Sequence, residues 1–222
     1  MIRSIAVFAL PLLLAGCGDK PPAEEPVANT SAGEAGNAAQ ARAPEALPDI
    51  VRVRLDTGAG AIVLALDAKR APVTTANFVR YVDEGRFDGT AFYRAAPTRG
   101  AAKGRGFIQG GIRRNYRLML PPIAHEPTSK TGLKHEAGTI SMAKAEEGAG
   151  AMGDFFILTH AMPAMDATGD KPGYAAFGKM VEGMEVVERI LAAPTVPNAG
   201  RGGVRGQMIA EPVRIVSAKR IG

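Results

Sequence analysis

The sequence predicts a mainly β domain, built as an antiparallel barrel or sandwich. Short strand-like runs recur from residue 50 onward, separated by turns rich in Gly and Pro, and only two segments have the periodicity of an amphipathic helix. Many short strands with few helices are typical of antiparallel architectures. Residues 49–222 are numerous enough to form one domain with a substantial hydrophobic core.

The first elements are a hairpin and a helix. Ile50–Leu55 and Ala61–Leu66 are strand-like, and the turn residues between them predict an antiparallel hairpin. A helix is predicted from about Pro72 to Glu84, because proline suits a first helical turn and Gly85 can end a helix. The expected apolar face of this helix consists of Ala76, Phe78, Val79 and Val82.

The remaining elements are six strands and a second helix. Arg94 and Gln109 are expected at the ends of two short strands, 91–94 and 107–109, and the loop between them carries Arg99, Lys103 and Arg105. The other strands are predicted at 138–143, 154–159, 174–180 and 213–216, and the helix at 184–191 with Val187, Ile190 and Leu191 on one face.

Residues 1–16 are expected to be a lipoprotein signal peptide. A positive charge, Arg3, precedes an apolar run from Ile5 to Leu14 that is too short to span a bilayer. The run ends in the residues LAGC, which resemble the lipobox of bacterial lipoproteins. This resemblance implies cleavage before Cys17 and lipidation of Cys17, the single cysteine of the chain. The alternative is an ordinary cleaved signal followed by an incidental cysteine.

Residues 17–48 are expected to be the lipidated cysteine and a disordered tether. They are rich in Ala, Pro, Gly, Glu and Asn and have few large apolar side chains, so burial cannot offset their ordering entropy. We expect the protein to be exported and held on the cell-envelope membrane through Cys17, facing the periplasm if the cell is Gram-negative. Inner and outer membrane both remain open.

Short motifs run through the domain in a fixed order. They are APV (71–73), FDGTAFYR (87–94), FIQGG (107–111), GTISMA (138–143), FFI (155–157) and FGKM (177–180). The ordered set resembles the cyclophilins, a family of peptidyl-prolyl cis-trans isomerases. The resemblance implies a closed eight-stranded antiparallel β-barrel capped by two α-helices. It also implies isomerase activity on X-Pro bonds, with proline-containing unfolded or exported polypeptides as partners and with no cofactor or metal, in a protein that we expect to be monomeric.

The resemblance assigns candidate site residues as well. Arg94 matches the family's catalytic arginine, and Gln109 matches a glutamine that contacts the substrate backbone. The apolar pocket for the proline ring is matched by Phe107 and Phe156, while Phe155 is expected in the core. At the pocket edge the matching positions are Ala143, Met165, where leucine is usual, and Tyr174, where histidine is frequent.

The sequence departs from the family pattern in three places. Fourteen residues, Ala95–Ile108, separate Arg94 from Gln109, where the family has about seven. Lys144 replaces an asparagine that binds substrate backbone, and Asp154 replaces a glutamine. We expect the last two changes to alter peptide recognition more than chemistry. The effect of the insert, Ala95–Gly106, on activity or specificity remains open.

The candidate residues suit the chemistry of prolyl isomerisation. An X-Pro bond rotates over a barrier of about 18–20 kcal/mol, because its C–N bond has partial double-bond character. A site therefore has to hold the proline ring and favour the twisted amide. Arg94 can donate a hydrogen bond to the prolyl nitrogen as its lone pair localises, and Gln109 can hold a flanking carbonyl.

The basic residues near the site, the histidines and the methionines allow other interpretations. Residues 94–117 contain seven Arg or Lys and no acidic residue. This basic stretch is interpreted as a solvated face, or as a surface that draws acidic client segments or anionic head groups to the pocket. Nucleic acid is not expected, because aromatic interleaving is lacking and export would separate the two. A non-catalytic chaperone module that holds proline segments is the alternative function. His125, His135 and His160 are interpreted as incidental, and the methionines as packing residues.

Overall fold

The computed structural model describes residues 47–113, 115–144 and 151–222. Eight antiparallel strands close into a barrel in the order β1-β2-β7-β5-β6-β4-β3-β8. This confirms the barrel implied by the family resemblance. The strands are β1 Ile50–Thr57, β2 Gly60–Asp67, β3 Ala91–Pro97, β4 Gly106–Gly111, β5 Thr139–Met142, β6 Asp154–Leu158, β7 Ala175–Glu182 and β8 Met208–Arg220.

Alternation along the strands determines which side chains enter the barrel. In β1, Val51, Val53 and Leu55 are buried, and the residues between them are exposed. The predicted hairpin of β1 and β2 is confirmed, with Ile50 opposite Asp67 and Thr57 opposite Gly60. Side chains on a strand point alternately to opposite faces, so every second side chain of β1 lies in the core.

The described residues contain three α-helices, one more than predicted. They are α1 Pro72–Asp83, α2 Thr128–Thr131 and α3 Met184–Leu191. The helix α2 is a single turn with the sequence TSKT, which has no apolar periodicity that a sequence pattern can detect. None of the described helices is long and apolar enough to cross a membrane.

The two longer helices contact strands from separate parts of the barrel. Helix α1 lies against β2, β7 and β8, and α3 lies against β2, β3 and β4. Both predicted helices are therefore confirmed, but the predicted apolar face of α1 is wrong at one position. Ala76 is exposed, whereas Thr74 and Asn77 are buried. The side chains of these two polar residues bind Glu126 and the carbonyl of Met152.

Aromatic rings fill the centre of the core. The Phe78 ring lies 4.9 Å from Phe87, 5.2 Å from Phe155 and 5.3 Å from Phe177, measured between ring centroids. All four side chains are fully buried. Offset and edge-to-face arrangements at these distances stabilise a packed interior beyond the burial of area alone. The prediction that Phe155 belongs to the core is confirmed.

The hairpin of β3 and β4 absorbs the insert between Arg94 and Gln109. Arg94 and Gln109 were predicted at the ends of their strands, but both lie within them. The reason is that β3 extends to Pro97 and β4 begins at Gly106. The two residues are direct cross-strand partners. Extending both strands of a hairpin equally leaves the pairing of earlier residues unchanged. The loop that remains, residues 98–105, is called the basic loop, and its Arg99, Lys103 and Arg105 are exposed.

Candidate active site

Four neighbouring strands place the key side chains in one row. Arg94 of β3 is opposite Gln109 of β4, Gln109 is opposite Phe156 of β6, and Phe156 is opposite Ser141 of β5. Cross-strand partners project from the same face of a sheet, here the outer face of the barrel. The adjacent residues Ala95 and Ile108 point inward and are fully buried. The site is therefore built on rigid strands.

Two glutamines orient the guanidinium of Arg94. Its Nη1 donates to Oε1 of Gln109 at 2.8 Å, and its Nε donates to Oε1 of Gln207 at 2.8 Å. These bonds leave Nη2 without a protein partner among the described residues. Burial lowers the pKa of Arg94, an effect opposed by Tyr93 and Tyr174, but an arginine keeps its charge in proteins. The arrangement fixes a half-buried cation with one amino group available to a ligand.

Tyr93 holds the other end of Gln109. The register of β3 shifts between Phe92 and Arg94, so Tyr93 lies in a bulge, which re-aims a side chain. The Nε2 of Gln109 donates to the Tyr93 hydroxyl at 2.7 Å. Burial and the nearby Asp154 raise the pKa of Tyr93, so its hydroxyl stays protonated. Gln109 is thus fixed from both ends of its amide.

Three aromatic rings, Phe107, Phe156 and Tyr174, lie beside Arg94 and are called the aromatic pocket, because two of them match the proline pocket of the family that the sequence resembles. The Arg94 guanidinium lies 4.9 Å from the centroid of the Phe107 ring, and Phe107 lies 5.4 Å from Phe156. Tyr174 meets Phe156 edge-on at 5.3 Å, with an interplanar angle of 89°. A cation next to apolar rings suits a ligand that has an apolar ring attached to a polar amide. The structure brings Phe107 to this place despite the longer spacing in the sequence.

The structure ties the remaining predicted edge residues, Met165 and Ala143, to Tyr174 and Asp154 through backbone hydrogen bonds. Met165 ends a short 3-10 turn, Pro163–Met165, and its carbonyl accepts a hydrogen bond from the amide of Tyr174 at 2.9 Å. Ala143 follows β5 directly, is half-buried, and donates its amide to the carbonyl of Asp154 at 2.9 Å. Cys17 lies outside the described residues.

The two unusual residues near the site, Lys144 and Asp154, have partners within the protein. Lys144 donates from Nζ to the carbonyl of Gly173 at 2.7 Å and lies 5.3 Å from the centroid of the Tyr174 ring. Asp154 accepts the amide of Arg113 at 2.8 Å. Arg113 has a positive φ of 46°, which is unusual for a residue with a side chain. Lys144 therefore braces the Tyr174 wall, and Asp154 fixes the backbone after β4.

Two residues of the site region were missed at the level of sequence. Gln207 lies just before β8, 113 positions from Arg94, in no motif that marks it. His135 was predicted to be incidental, and the structure contradicts this prediction. It is 1% exposed, and its ring binds Asp166 and Ser141. The separations of 113 positions between Gln207 and Arg94 and of 31 positions between His135 and Asp166 explain why spacing did not find either residue. His125 and His160 are half-buried; His125 lies 2.9 Å from the carbonyl of Pro172, and His160 lies next to Thr98.

Comparisons with known proteins identify the family of this site. Residues 51–220 match the model of the cyclophilin type peptidyl-prolyl cis-trans isomerases. The chain is 38% identical over 173 residues to peptidyl-prolyl cis-trans isomerase A of Dickeya dadantii, covering 76% of this chain and 84% of the relative. It is 35% identical over 173 residues to a peptidyl-prolyl cis-trans isomerase of Streptomyces antibioticus, covering 77% and 98%.

Solved structures agree with the fold. A cyclophilin type peptidyl-prolyl cis-trans isomerase of Cryptosporidium parvum superposes with a TM-score of 0.58 at 20% identity, covering 78% of this chain and 98% of that one. A second structure of this protein, in the presence of the dipeptide Ala-Pro, gives a TM-score of 0.57 at 21% identity, covering 77% and 99%. At this identity the likeness concerns the fold alone.

Proposed function

This chain belongs to the cyclophilin-type peptidyl-prolyl cis-trans isomerases, and from that premise we propose that it acts on exported polypeptides at the cell envelope through a site centred on Arg94. The family and its named relatives make it an enzyme that isomerises X-Pro bonds. That favours catalysis over the non-catalytic chaperone alternative. The single observation that carries the site assignment is the double anchoring of Arg94 beside the aromatic pocket.

In the proposed mechanism the pocket holds the proline ring and Arg94 acts on the amide. Phe107 and Phe156 pack against the ring, which removes apolar surface from water. As the C–N bond twists, the prolyl nitrogen regains its lone pair and becomes a better acceptor. Nη2 of Arg94 donates to it. Because this hydrogen bond strengthens only in the twisted state, it lowers the barrier rather than merely tightening binding.

Gln109 orients Arg94 and also contacts the substrate in this proposal. Oε1 of Gln109 accepts a hydrogen bond from Arg94, and one N–H of Nε2 donates a hydrogen bond to the Tyr93 hydroxyl. The second proton of the amide is available for a carbonyl of the peptide. A substrate bound at both its proline ring and a flanking carbonyl loses much of the freedom that would otherwise oppose a productive geometry.

Titration with a proline dipeptide tests the pocket assignment separately from catalysis. Adding Ala-Pro to isotope-labelled protein should shift the NMR signals of Phe107, Phe156 and Tyr174. The Phe156→Ala variant should weaken binding of the dipeptide at least about tenfold, because a large part of the apolar wall is lost. The matched control is Tyr116→Ala, since Tyr116 is 83% exposed. Equal affinity of both variants for Ala-Pro would contradict the assignment.

The envelope location rests on the N-terminal sequence. The apolar run that ends at Cys17 resembles a lipoprotein signal, and the following Ala- and Pro-rich residues suit a tether. We propose that Cys17 carries the lipid and that residues 49–222 work as a monomer on the envelope membrane, facing the periplasm if the cell is Gram-negative. Proline-containing segments of exported proteins are the proposed clients.

Lipid labelling tests this location. Cells that express the full chain are grown with an alkyne-tagged fatty acid, and the protein is then isolated from the membrane fraction. The Cys17→Ser variant should lose the label. If wild-type protein carries no label, or if the variant keeps it, lipidation of Cys17 is refuted.

A further inference from the structure

His135 is a buried titratable residue that the mechanism described above does not use. Its side chain is fully enclosed, and its ring lies between two hydrogen-bonding partners. Nδ1 is 2.7 Å from Oδ1 of Asp166, and Nε2 is 3.0 Å from Oγ of Ser141. The backbone amide of His135 also donates to the same Asp166 oxygen, at 3.1 Å.

These contacts determine the tautomer of His135. The Asp166 carboxylate can only accept, so Nδ1 carries the proton and donates it. In the neutral ring Nε2 is then an acceptor, and the Ser141 hydroxyl donates to it. Burial lowers the pKa of His135, Asp166 opposes this shift and Lys134 adds to it, so the neutral form prevails near pH 7.

Serine, histidine and aspartate in this order do not form a hydrolytic triad here. Ser141 lies in β5 and is completely buried, behind the ring of His135. A nucleophile has to reach the substrate, and this hydroxyl is enclosed by protein. The role of the three residues must therefore be sought in what the imidazole ring itself contacts.

The ring of His135 supports the aromatic pocket. It is stacked with Phe156 at 6.1 Å between centroids and an interplanar angle of 15°, and it meets Tyr174 edge-on at 6.5 Å. Phe156 and Tyr174 also contact each other, so the three rings form one cluster. Ser141 is the cross-strand partner of Phe156, and Asp166 follows the pocket-edge residue Met165. His135 thus links β5, β6 and the 3-10 turn.

We propose that His135 is a positioning residue that fixes Phe156 and Tyr174 in the orientation that holds the proline ring. This inference rests on the pocket assignment in the proposed function. Protonation of Nε2 would turn it from an acceptor into a donor, so the Ser141 hydroxyl would have to rotate and accept the hydrogen bond instead. The ring would then carry a charge inside a buried aromatic cluster, which favours its movement toward water, so the pocket should bind proline peptides more weakly in acid. Among the described residues, the titratable groups beside the ring are Asp166 and Tyr174, and Lys134 lies 4.0 Å from the Asp166 carboxylate.

The test is the steady-state kinetics of the full chain with a proline tetrapeptide. In His135→Gln the amide can still reach polar partners but the ring is gone, so KM should rise about two- to tenfold, the range that one aromatic contact accounts for, with kcat nearly unchanged. The matched control His160→Gln removes a half-buried histidine near the basic loop, at Thr98, and should leave KM unchanged. A role in folding alone would lower the melting temperature without raising KM.

The pH profile supplies a second measurement. In wild type, KM should rise on acidification with the same midpoint as the His135 ring, measured by NMR, and His135→Gln should abolish this rise. If His135→Gln does not fold, a mismatch between these two wild-type midpoints overturns the proposal. Unchanged KM in a folded His135→Gln also overturns it. If the proposal for His135 fails, Arg94→Ala shows whether the proposed function fails with it. An inactive Arg94→Ala variant would leave the proposed function standing, and a fully active one would refute the assignment of the site.

Discussion

Gln207 offers a quantitative test of how Arg94 is held. Its backbone carbonyl accepts the amide of Ala95 at 2.9 Å, which fixes it beside β3, and its side chain accepts Nε of Arg94 at 2.8 Å. Gln207→Leu preserves the size of the side chain but removes the acceptor. Of the two hydrogen bonds that Arg94 makes with described residues, the one to Gln109 then remains, and the guanidinium is free to turn.

The size of the effect follows from the bond that is lost. A hydrogen bond to a charged group is worth about 1.5–3 kcal/mol, and the lower end applies because Arg94 and Gln207 are both half-buried. Since about 1.4 kcal/mol corresponds to a factor of ten in rate, kcat/KM should fall about tenfold. The loss should appear mainly in kcat, because the pocket that binds the proline ring is intact.

The assay couples isomerisation to a protease that cleaves only the trans form of a proline peptide. The matched control is Arg205→Ala, which removes an exposed side chain that binds Asn198 in the same loop. We expect this control to retain wild-type kcat/KM. If Gln207→Leu is folded, by circular dichroism, and retains full kcat/KM, then the second anchor of Arg94 has no catalytic importance and our account of the site is wrong.

Three further predictions concern stability and substrate charge. Glu126→Ala should lower the free energy of unfolding in urea by about 2–3 kcal/mol, because the buried carboxylate of Glu126 accepts three hydrogen bonds at the start of α1. The matched control Glu136→Ala should have little effect, because Glu136 is exposed. Replacing the three cations of the basic loop with glutamine should raise KM for acidic peptides at low salt but not at high salt, and no difference between the two salts would contradict this. The pKa of His135 in the folded state lies below 6.5, so on acidification the unfolded chain binds the proton first. The free energy of unfolding should therefore fall as the pH drops through about 6.5. His135→Gln should remove this part of the pH dependence.

Much of the barrel is predictable because local patterns and the fold agree. In β1 the alternation of Val51, Val53 and Leu55 with polar residues specifies both a strand and its buried face. The helix α3 is predicted at its observed bounds, because Val187, Ile190 and Leu191 define an apolar stripe. The apolar pattern fails at Ala76 of α1. Ala76 is exposed, and the polar residues Thr74 and Asn77 are buried in its place.

The site is predictable only where it coincides with a motif. Arg94, Gln109 and Phe156 lie in short motifs, and the strand register then places them in one row. The His135 ring has one near partner, Ser141, but its other partner, Asp166, is 31 positions away, and Gln207 is 113 positions from Arg94. Such partners come together only when the barrel closes, and a single sequence gives no spacing that reveals them.

The most direct test of the account is the activity of Arg94→Ala in the protease-coupled assay, with affinity for Ala-Pro measured in parallel. Removing one preorganised donor to a transition state typically costs a factor of about 10²–10³ in kcat. We predict a loss of kcat of this size, with binding of the dipeptide retained, because Phe107 and Phe156 still form the pocket. Wild-type kcat in a folded Arg94→Ala protein would contradict the central claim.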